Sequence, residues 1–339
     1  MRQLDVSKLK ALVTAIFEKV GVCPEQAQII AQTLLEAEQR GVHSHGVVCV
    51  TRYVDLIQKG FMKANMEHEV LRSAPAVEVW DGKRSNGQVL GYYAMKRAME
   101  KAKSCGVGMV GVKSTNHFGA GAYYAQMAQK EGMIGIALST GSPTMAPWGG
   151  AEKAIGNNPL AIAVPTREEI PPVLDMAQSV VANGKITNMM KQGIKEIPEG
   201  WALDKEGMPT TKMEDFYSVT PLGAYKGFGM SFMVDVLSGL LIGGGVGFEA
   251  GDFKDGPGIM MMALDVAAFR DPQMFLSDVD HRIQELKSVR KAKNSSGIMM
   301  PGEPEARSFA ESAQKVSVLP EIMDSLNDLA RQLGLEPVE

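Results

Sequence analysis

Hydrophobic positions near the N-terminus repeat with the period of α-helices. Between positions 5 and 21 the apolar residues recur every three or four positions and so form one face of an amphipathic helix. A second helix is predicted to begin at Pro24, because proline suits a first helical turn, and to end at Arg40-Gly41. A third helical stretch, 47–59, follows the polar segment 43–46. That segment therefore lies at a junction between helices, where side chains can converge on a ligand.

From about position 76 the pattern changes to short β-rich runs that alternate with helical stretches. Strands are predicted at 76–80, 109–112, 134–138, 161–164, 173–176 and 259–263. Helices are predicted at 92–104, 122–130, 227–241, 277–290 and 321–333. The alternation favours an α/β core between helical ends.

The most apolar window of the chain, 227–248, is long enough to resemble a membrane span. It also holds Asp235 and seven glycines, which a span would rarely carry. We therefore predict a buried helix that runs into a glycine-rich loop.

Length and composition narrow the class of protein. With 339 residues the chain allows about two domains, or one large domain with a second embedded in it. Apolar residues make up 45% and charged residues 22%, the net charge is −4 and the pI is about 5.9, which is an ordinary globular composition without a cationic stripe for nucleic acid. The first ten residues lack the pattern of a secretory signal, and three cysteines without CxxC spacing fit a reducing compartment. A cytoplasmic protein that binds neither nucleic acid nor membranes is expected.

A glycine pattern at 106–111 matches G-x-G-x-x-G, the dinucleotide fingerprint of Rossmann folds. That fingerprint requires a strand before it and a helix after it, whereas here a predicted helix precedes it and a predicted strand follows. Gly106 is therefore interpreted as the cap of a helix, and the match does not indicate a Rossmann fold.

Histidines supply the candidate chemistry. A metal site is disfavoured, because His43 and His45 would diverge in a helix and no acidic or thiolate partner stands nearby in sequence. A hydrolase is also disfavoured, because no G-x-S-x-G motif occurs and the adjacent Ser44 and His45 side chains are expected to point apart. His45 and His117, each beside glycine in a loop, are suited to proton transfer near neutral pH. A histidine that only stabilises its loop is the alternative for either one alone.

One further segment could contact an anion. Lys226 precedes a predicted helix, whose N-terminal amides favour negative charge. A turn with a solvated lysine is the alternative. The segment 301–303 can likewise be only a turn that opens the helix carrying Arg307.

Seven short motifs occur in a fixed order along the chain. They are RGVHSHG at 40–46, NHFG at 116–119, APWGG at 146–150, GNNP at 156–159, DMA at 175–177, KGFG at 226–229 and PGE at 301–303. Together they resemble the malate/L-lactate dehydrogenase family of the second, non-Rossmann type, over nearly the whole chain. That family includes ureidoglycolate, sulfolactate and diketogulonate oxidoreductases and cyclic-imino-acid reductases, so the motifs are specific for the family and not for a substrate.

The resemblance implies an α/β fold in which a non-Rossmann dinucleotide-binding domain is inserted between N- and C-terminal segments with helical ends. Residues 1–115 together with 290–339 are then expected to form the helical, substrate-binding and dimerisation region. Residues 116–289 are expected to form the NAD(P)-binding domain. A homodimer is implied as well.

The resemblance also implies NAD(P)-dependent interconversion of a small 2-hydroxy acid and a 2-oxo acid. His45 is the implied proton donor to the carbonyl oxygen, with Ser44 and Asp175 as possible orienting partners, and His117 is an implied second acid/base or substrate-positioning group. NAD is the expected cofactor, with NADP as the alternative. The residues implied to contact it are Ser142, Pro143, Asp175, Met176, Ala177, Lys226, Gly302 and Glu303.

One position departs from the family pattern. Many members carry, four residues after the histidine of the SHG motif, an arginine expected to grip the substrate carboxylate, and here that position is Cys49. A thiol cannot form the bidentate, charge-assisted pair of a guanidinium with a carboxylate. Arg52, three residues further along the helix, is the expected substitute. A cyclic imino acid reductase, a ureidoglycolate dehydrogenase and a catalytically silent metabolite-binding protein are the alternative functions.

Overall fold

The structure is a computed structural model that describes residues 2–251 and 256–338. Its helices are α1 (Val6–Lys19), α2 (Pro24–Gln39), α3 (Cys49–Gln58), α4 (Gly87–Cys105), α5 (Gly121–Lys130), α6 (Asn183–Lys191), α7 (Tyr225–Ser238), α8 (Pro272–Ser288), α9 (Glu303–Glu311) and α10 (Pro320–Gln332). Its strands are β1 (Arg2–Asp5), β2 (Glu69–Ser73), β3 (Val77–Asp81), β4 (Val107–Lys113), β5 (Met133–Ser139), β6 (Leu160–Ala163), β7 (Val173–Met176), β8 (Ala202–Leu203), β9 (Pro209–Thr210), β10 (Ser218–Val219), β11 (Ile259–Asp265) and β12 (Lys315–Val318).

The N-terminal helices form one layer together with the C-terminal end of the chain. The carboxylate of Asp5 caps α1 by accepting from the backbone N–H of Lys8 at 2.9 Å, and Pro24 occupies the first turn of α2. Apolar faces of α1, α2, α3 and α10 share one core, which is closed by the antiparallel pair of β1 and β12. The three predicted N-terminal helices are confirmed.

A seven-stranded mixed sheet forms the centre of the molecule, in the order β2-β3-β4-β11-β5-β6-β7. Only β3 and β4 pair in parallel, and every other neighbouring pair is antiparallel. Helices α4 and α5 pack on one face, while α7 packs on the other. The α/β class is confirmed, and the antiparallel pairing distinguishes this sheet from a doubly wound parallel one.

Gly106 ends α4 in the left-handed conformation, with φ of 79°, and β4 begins at the next residue. Gly108 lies where β4 crosses α4, since a Cβ there would come 1.9 Å from the carbonyl oxygen of Ala98. The helix cap at Gly106 is confirmed, and the close helix–strand contact at Gly108 is a second reason for glycine that the sequence did not predict.

The prediction of a buried helix in the window 227–248 is wrong in part. The helix exists as α7, but only 39% of the window Tyr225–Ile242 is buried, although its length and composition would allow it to cross a membrane. Its small and polar residues face the protein, where Ser231 donates to the carbonyl oxygen of Gly156 at 2.7 Å. Its large apolar side chains, among them Met230, Phe232 and Met233, point outward.

The sequence did not predict several short elements, namely β1, β2, β12, α6 and the small sheet β10-β8-β9. The central sheet takes strands from both sides of position 115, because β2–β4 precede it and β5–β7 and β11 follow it. The division into 1–115 with 290–339 and 116–289 stays a prediction about domain organisation.

Candidate active site

A cavity of about 680 Å³ opens between α2, the turn at 42–45, the N-terminus of α5, strand β7 and the segment 299–305. Its volume is within the range of small-molecule and cofactor pockets, about 300–1,000 Å³. The walls come from segments that are far apart in sequence, which the sheet and the N-terminal helices bring together.

His45 lies in a single helical turn, His43–His45, directly after the end of α2. The Oγ of Ser44 lies 2.8 Å from Nδ1 of His45, a hydrogen bond between adjacent side chains. The expectation that these two side chains point apart is therefore wrong, because the tight turn rotates them toward the same side. Burial lowers the pKa of His45, so the ring is neutral at neutral pH.

His117 lies in the loop before α5, and its ring stacks on that of His45. Their ring centroids are 5.3 Å apart with an angle of 28° between the planes. The hydroxyl of Tyr53, from α3, lies 2.5 Å from Nδ1 of His117. Burial holds the pKa of His117 well below its usual value, and a proton on His45 or the charge of Arg52 lowers it further. Because burial also keeps Tyr53 protonated by raising its pKa, its O–H can donate to Nδ1 and leave the proton of His117 on Nε2.

Asp175 is the third residue of β7 and lies opposite the N-terminus of α5. Its Oδ2 accepts from the backbone N–H of Ala122 at 2.8 Å, which places the carboxylate at the positive end of the helix dipole. The side chain is exposed to the open volume of the cavity, and desolvation by the protein around it raises its pKa to about 6. Asp175 thus bonds to α5, whereas the bonded partner of His45 is Ser44.

The predicted site residues divide into two groups. Seven line the cavity: Ser44, His45, His117, Asp175, Met176, Ala177 and Gly302. The other five lie outside its wall: Arg52, Ser142, Pro143, Lys226 and Glu303. Of the second group, Ser142 and Lys226 are exposed, and Gly141, beside Ser142, does line the cavity.

Glu303 is buried at the start of α9. Its carboxylate accepts from the backbone N–H of Met300 at 2.8 Å, from Nζ of Lys287 at 3.2 Å and from Arg307 at 2.9 Å. The Met300 bond and the two cations lower its pKa. Glu303 therefore holds the segment before α9 in place, while its neighbours Pro304 and Glu305 line the cavity.

The departure at Cys49 leaves no cation at that position. The thiol is buried, its Sγ lies 3.6 Å from the carbonyl oxygen of Ser44, and burial raises its pKa to about 11. Arg52 is exposed one turn further on, and its charge still acts on the rings of Tyr53 and His117. Within residues 2–251 and 256–338, Arg52 forms no ion pair.

Sequence reasoning missed two functional candidates. The sequence places Arg40 at the end of α2 and in the first of the seven motifs without indicating a role, yet it lines the cavity, bonded to Glu36 at 3.0 Å and to Gln126 at 2.6 Å. Tyr53 was not singled out, although its position four residues after Cys49 puts both on one face of α3. The spacing from Cys49 could have identified Tyr53 from the sequence. The direction of the Arg40 side chain could not be predicted, because it depends on how α2 packs against α5.

The wall of the cavity fits a nicotinamide dinucleotide. Gly119, Gly121, Gly141 and Gly302 let the ligand approach the main chain, and Gly302 has φ of 81° with no room for a Cβ, which would lie 2.5 Å from the carbonyl oxygen of Val173. The side-chain amide nitrogen of Gln178, next to Ala177 in the wall, is buried without a partner among the described residues.

No group of three His, Cys, Asp or Glu side chains suited to a metal occurs in the part of the chain that the structure describes. His43 bonds through Nδ1 to Glu38 at 2.5 Å. The expectation that no acidic partner stands near these histidines in sequence is therefore wrong for His43, because the end of α2 turns Glu38 back toward it.

Comparison with known proteins gives consistent matches over the chain. The family model for malate/L-lactate dehydrogenases matches residues 4–327. The malate dehydrogenase of Pyrococcus horikoshii is 37% identical over 97% of this chain and 95% of its own length. The NAD(+) ureidoglycolate dehydrogenase of Escherichia coli is 32% identical over 84% of this chain and 83% of its own. The solved structure of sulfolactate dehydrogenase from Methanocaldococcus jannaschii superposes with a TM-score of 0.91 at 32% identity, over 99% of this chain and 98% of that one.

Proposed function

The chain belongs to the malate/L-lactate dehydrogenase family, and from that premise we propose that it interconverts a small 2-hydroxy acid and its 2-oxo acid, with His45 as the group that transfers the proton. The observation that carries the proposal is the stacked pair of His45 and His117 at a cavity whose wall also holds Asp175, Met176 and Ala177. The enzyme is a nicotinamide-dependent dehydrogenase by its family.

The roles of the side chains follow from their contacts. When bound, the nicotinamide supplies or accepts the hydride. His45 donates a proton to the carbonyl oxygen of the 2-oxo acid, or accepts it from the hydroxyl in the reverse direction, and Ser44 fixes its ring through Nδ1. His117, held by Tyr53, directs its Nε2 toward the same substrate. Both rings are partly buried at the wall of the cavity, which limits the water that can reach the reacting atoms.

We propose NAD rather than NADP as the cofactor. The cavity wall carries three carboxylates, Glu36, Asp175 and Glu305, against the single guanidinium of Arg40, which already pairs with Glu36. The additional phosphate of NADP would bring about two further negative charges into this wall, which the charge balance disfavours.

Cys49 bears on the class of substrate, because its thiol cannot bind a substrate carboxylate as an arginine would. A buried thiol replaces a cation, so the substrate carboxylate has to be held by another group, for which Arg52 is proposed. The same observation favours, as a second candidate, a cyclic imino acid or a ureido acid, whose carboxylate would be held differently.

We further propose that the protein acts as a homodimer. Large apolar side chains are exposed along α7 and the turn after it: Tyr225, Met230, Phe232, Met233, Leu237, Leu240 and Leu241. Apolar surface of this kind is typical of a protein–protein contact. The cytoplasmic location expected from the cysteines stays a prediction.

The direct test is the change in absorbance at 340 nm with NADH or NADPH against pyruvate, oxaloacetate, sulfopyruvate, diketogulonate and a cyclic imino acid. We expect turnover with NADH and one of these acids. His45→Ala should lower kcat by about 10²- to 10⁴-fold while NADH still binds. Near wild-type kcat in that variant would remove His45 from the role, and silence of the wild type across the panel with tight NADH binding would favour a catalytically silent metabolite-binding protein.

A further inference from the structure

Glu38, in the last turn of α2, is buried beneath the turn that carries His45. Its side chain is only 2% exposed. One carboxylate oxygen, Oε1, lies 2.5 Å from Nδ1 of His43, and the other, Oε2, accepts from the backbone N–H of Val47 at 3.0 Å. The two bonds therefore hold the chain on both sides of the three residues Ser44, His45 and Gly46.

The carboxylate also lies directly against the main chain next to His45. A Cβ at Gly46 would come 2.0 Å from Oε2 of Glu38, so any other residue at this position would clash with the carboxylate where it now lies. Glycine at this position thus allows the carboxylate to fit under the turn. The carbonyl oxygen of Val42 accepts from the N–H of His45 at 3.0 Å, so the turn is bonded within itself as well.

The arrangement is an uncommon way to bury a carboxylate. Buried carboxylates usually pair with lysine or arginine, because removing their charge from water costs several kcal/mol. Among residues 2–251 and 256–338, Glu38 forms an ion pair only with His43, whose side chain is 45% exposed. This bond raises the pKa of His43. A buried carboxylate held by one imidazole and one amide fits a role in fixing the turn better than a role in general stability.

We infer that Glu38 is a positioning residue for His45: its carboxylate holds both ends of the turn 43–47 and so fixes the direction of the His45 ring toward the cavity. The inference rests on the proposed function only in taking His45 as the proton-transferring group. Loss of the carboxylate would free the turn, and a displacement of about 1 Å in a reacting group can lower a rate by about 10²-fold.

The test uses Glu38→Ala and Glu38→Gln in the full-length protein, labelled with ¹⁵N-histidine. The chain has five histidines, so a long-range ¹H–¹⁵N spectrum resolves their rings, and His45→Gln assigns the signal of His45. At pH 8 we expect Glu38→Ala to shift or broaden the His45 signals. Glu38→Gln should preserve most of them, because its amide oxygen can accept from Val47 and its NH₂ can donate to an unprotonated Nδ1 of His43.

Matched variants separate positioning from a general loss of stability. Glu25→Ala removes an exposed carboxylate from the same helix and should leave all five histidine signals in place. His43→Leu removes only the bond between Glu38 and the half-exposed ring of His43 and keeps the bond to Val47. We therefore expect a smaller shift of the His45 signals than in Glu38→Ala. His43→Leu keeps the test decisive if Glu38→Ala does not fold.

Steady-state kinetics give a second readout, with the acid that the absorbance assay at 340 nm identifies as the substrate. We expect kcat to fall by about 10- to 100-fold in Glu38→Ala, with KM for NADH within about twofold of the wild type. Unchanged His45 signals in both Glu38→Ala and His43→Leu would overturn the inference, as would equal shifts in Glu38→Gln and Glu38→Ala. If His45→Ala retains its turnover, the proposed function fails, and the spectra still decide whether Glu38 positions the ring.

Discussion

At the scale of single residues, the pKa of His45 decides in which direction this side chain can carry out the proposed proton transfer before a ligand binds. Burial lowers its pKa, so the ring is unprotonated at neutral pH and can accept a proton from a substrate hydroxyl. For the proposed reductive direction, His45 would first have to take up a proton. A bound carboxylate nearby would favour that uptake, because a negative charge raises the pKa of an imidazole.

The proposal that Arg52 binds the substrate carboxylate predicts how its replacement changes KM. Arg52 is exposed, its charge acts on His117, and it forms no ion pair within residues 2–251 and 256–338. We expect Arg52→Ala to raise KM for a carboxylate substrate by about 5- to 150-fold, equivalent to about 1–3 kcal/mol, in steady-state assays. Arg72→Ala, an exposed arginine on β2, serves as the control and should leave KM unchanged. An unchanged KM in Arg52→Ala would point to another cation, with Arg40 as the next to test.

At the scale of the elements, α7 reverses the usual distribution of apolar residues along a helix. Its inner face carries Gly227, Ser231, Asp235 and Ser238, which let the helix approach the main chain beneath it closely. A Cβ at Gly227 would come 2.4 Å from the backbone nitrogen of Leu222. The outer face is apolar, and a single copy of the chain leaves it exposed.

Asp235 on the inner face of α7 makes the stability depend on pH. Burial raises its pKa to about 6, and Asn158 bonds to it at 2.8 Å. Between pH 4 and 6 the unfolded chain loses this proton while the folded chain keeps it, so stability falls as the pH rises through that window and stays lower above it. Asp235→Asn removes the cost of the buried charge, and its amide oxygen can still accept from Asn158.

We therefore expect Asp235→Asn to be more stable than the wild type by about 1–3 kcal/mol at pH 7.5, with the difference vanishing near pH 4. Denaturant unfolding at several pH values measures it. The exposed Asp328→Asn variant should show no such trend. A difference independent of pH would mean that the charge of Asp235 is not the cause.

At the scale of the whole molecule, the cavity depends on segments that the sheet brings together. Strand β11 enters the sheet between β4 and β5, although about 120 residues separate β5 from β11 in sequence. Its insertion places α7 and α5 on opposite faces of the same sheet. The cavity lies at the end of this sheet, against the N-terminal helices.

Phe232 gives a test of the homodimer. It is 47% exposed on the outward face of α7, and a charge there would oppose burial against a second copy. We expect light scattering after size-exclusion chromatography to find a dimer for the wild type and a shift to monomer for Phe232→Asp. Phe269→Asp is the control, because Phe269 is also exposed but lies outside α7. A wild type that elutes as a monomer at micromolar concentration would contradict the proposal.

Much of the fold could be predicted because its signals are local. The apolar spacing of α1 and α2, Pro24 at a first turn and Gly106 at a helix end each depend on a few neighbouring residues. Short strands such as β8 were missed, since two residues carry no periodicity. The inverted face of α7 was missed because periodicity shows which residues share a face and not which face is buried.

For the candidate site, the sequence by itself determined the seven motifs, the family and the two histidines. Only the tertiary structure decided that Ser44 bonds His45, that Tyr53 holds His117, that Arg40 faces the cavity and that Lys226 does not. The physical reason is that residue identity and spacing fix local chemistry and helix faces. Directions and distances between segments depend on packing, which brings residues more than a hundred positions apart into the same wall.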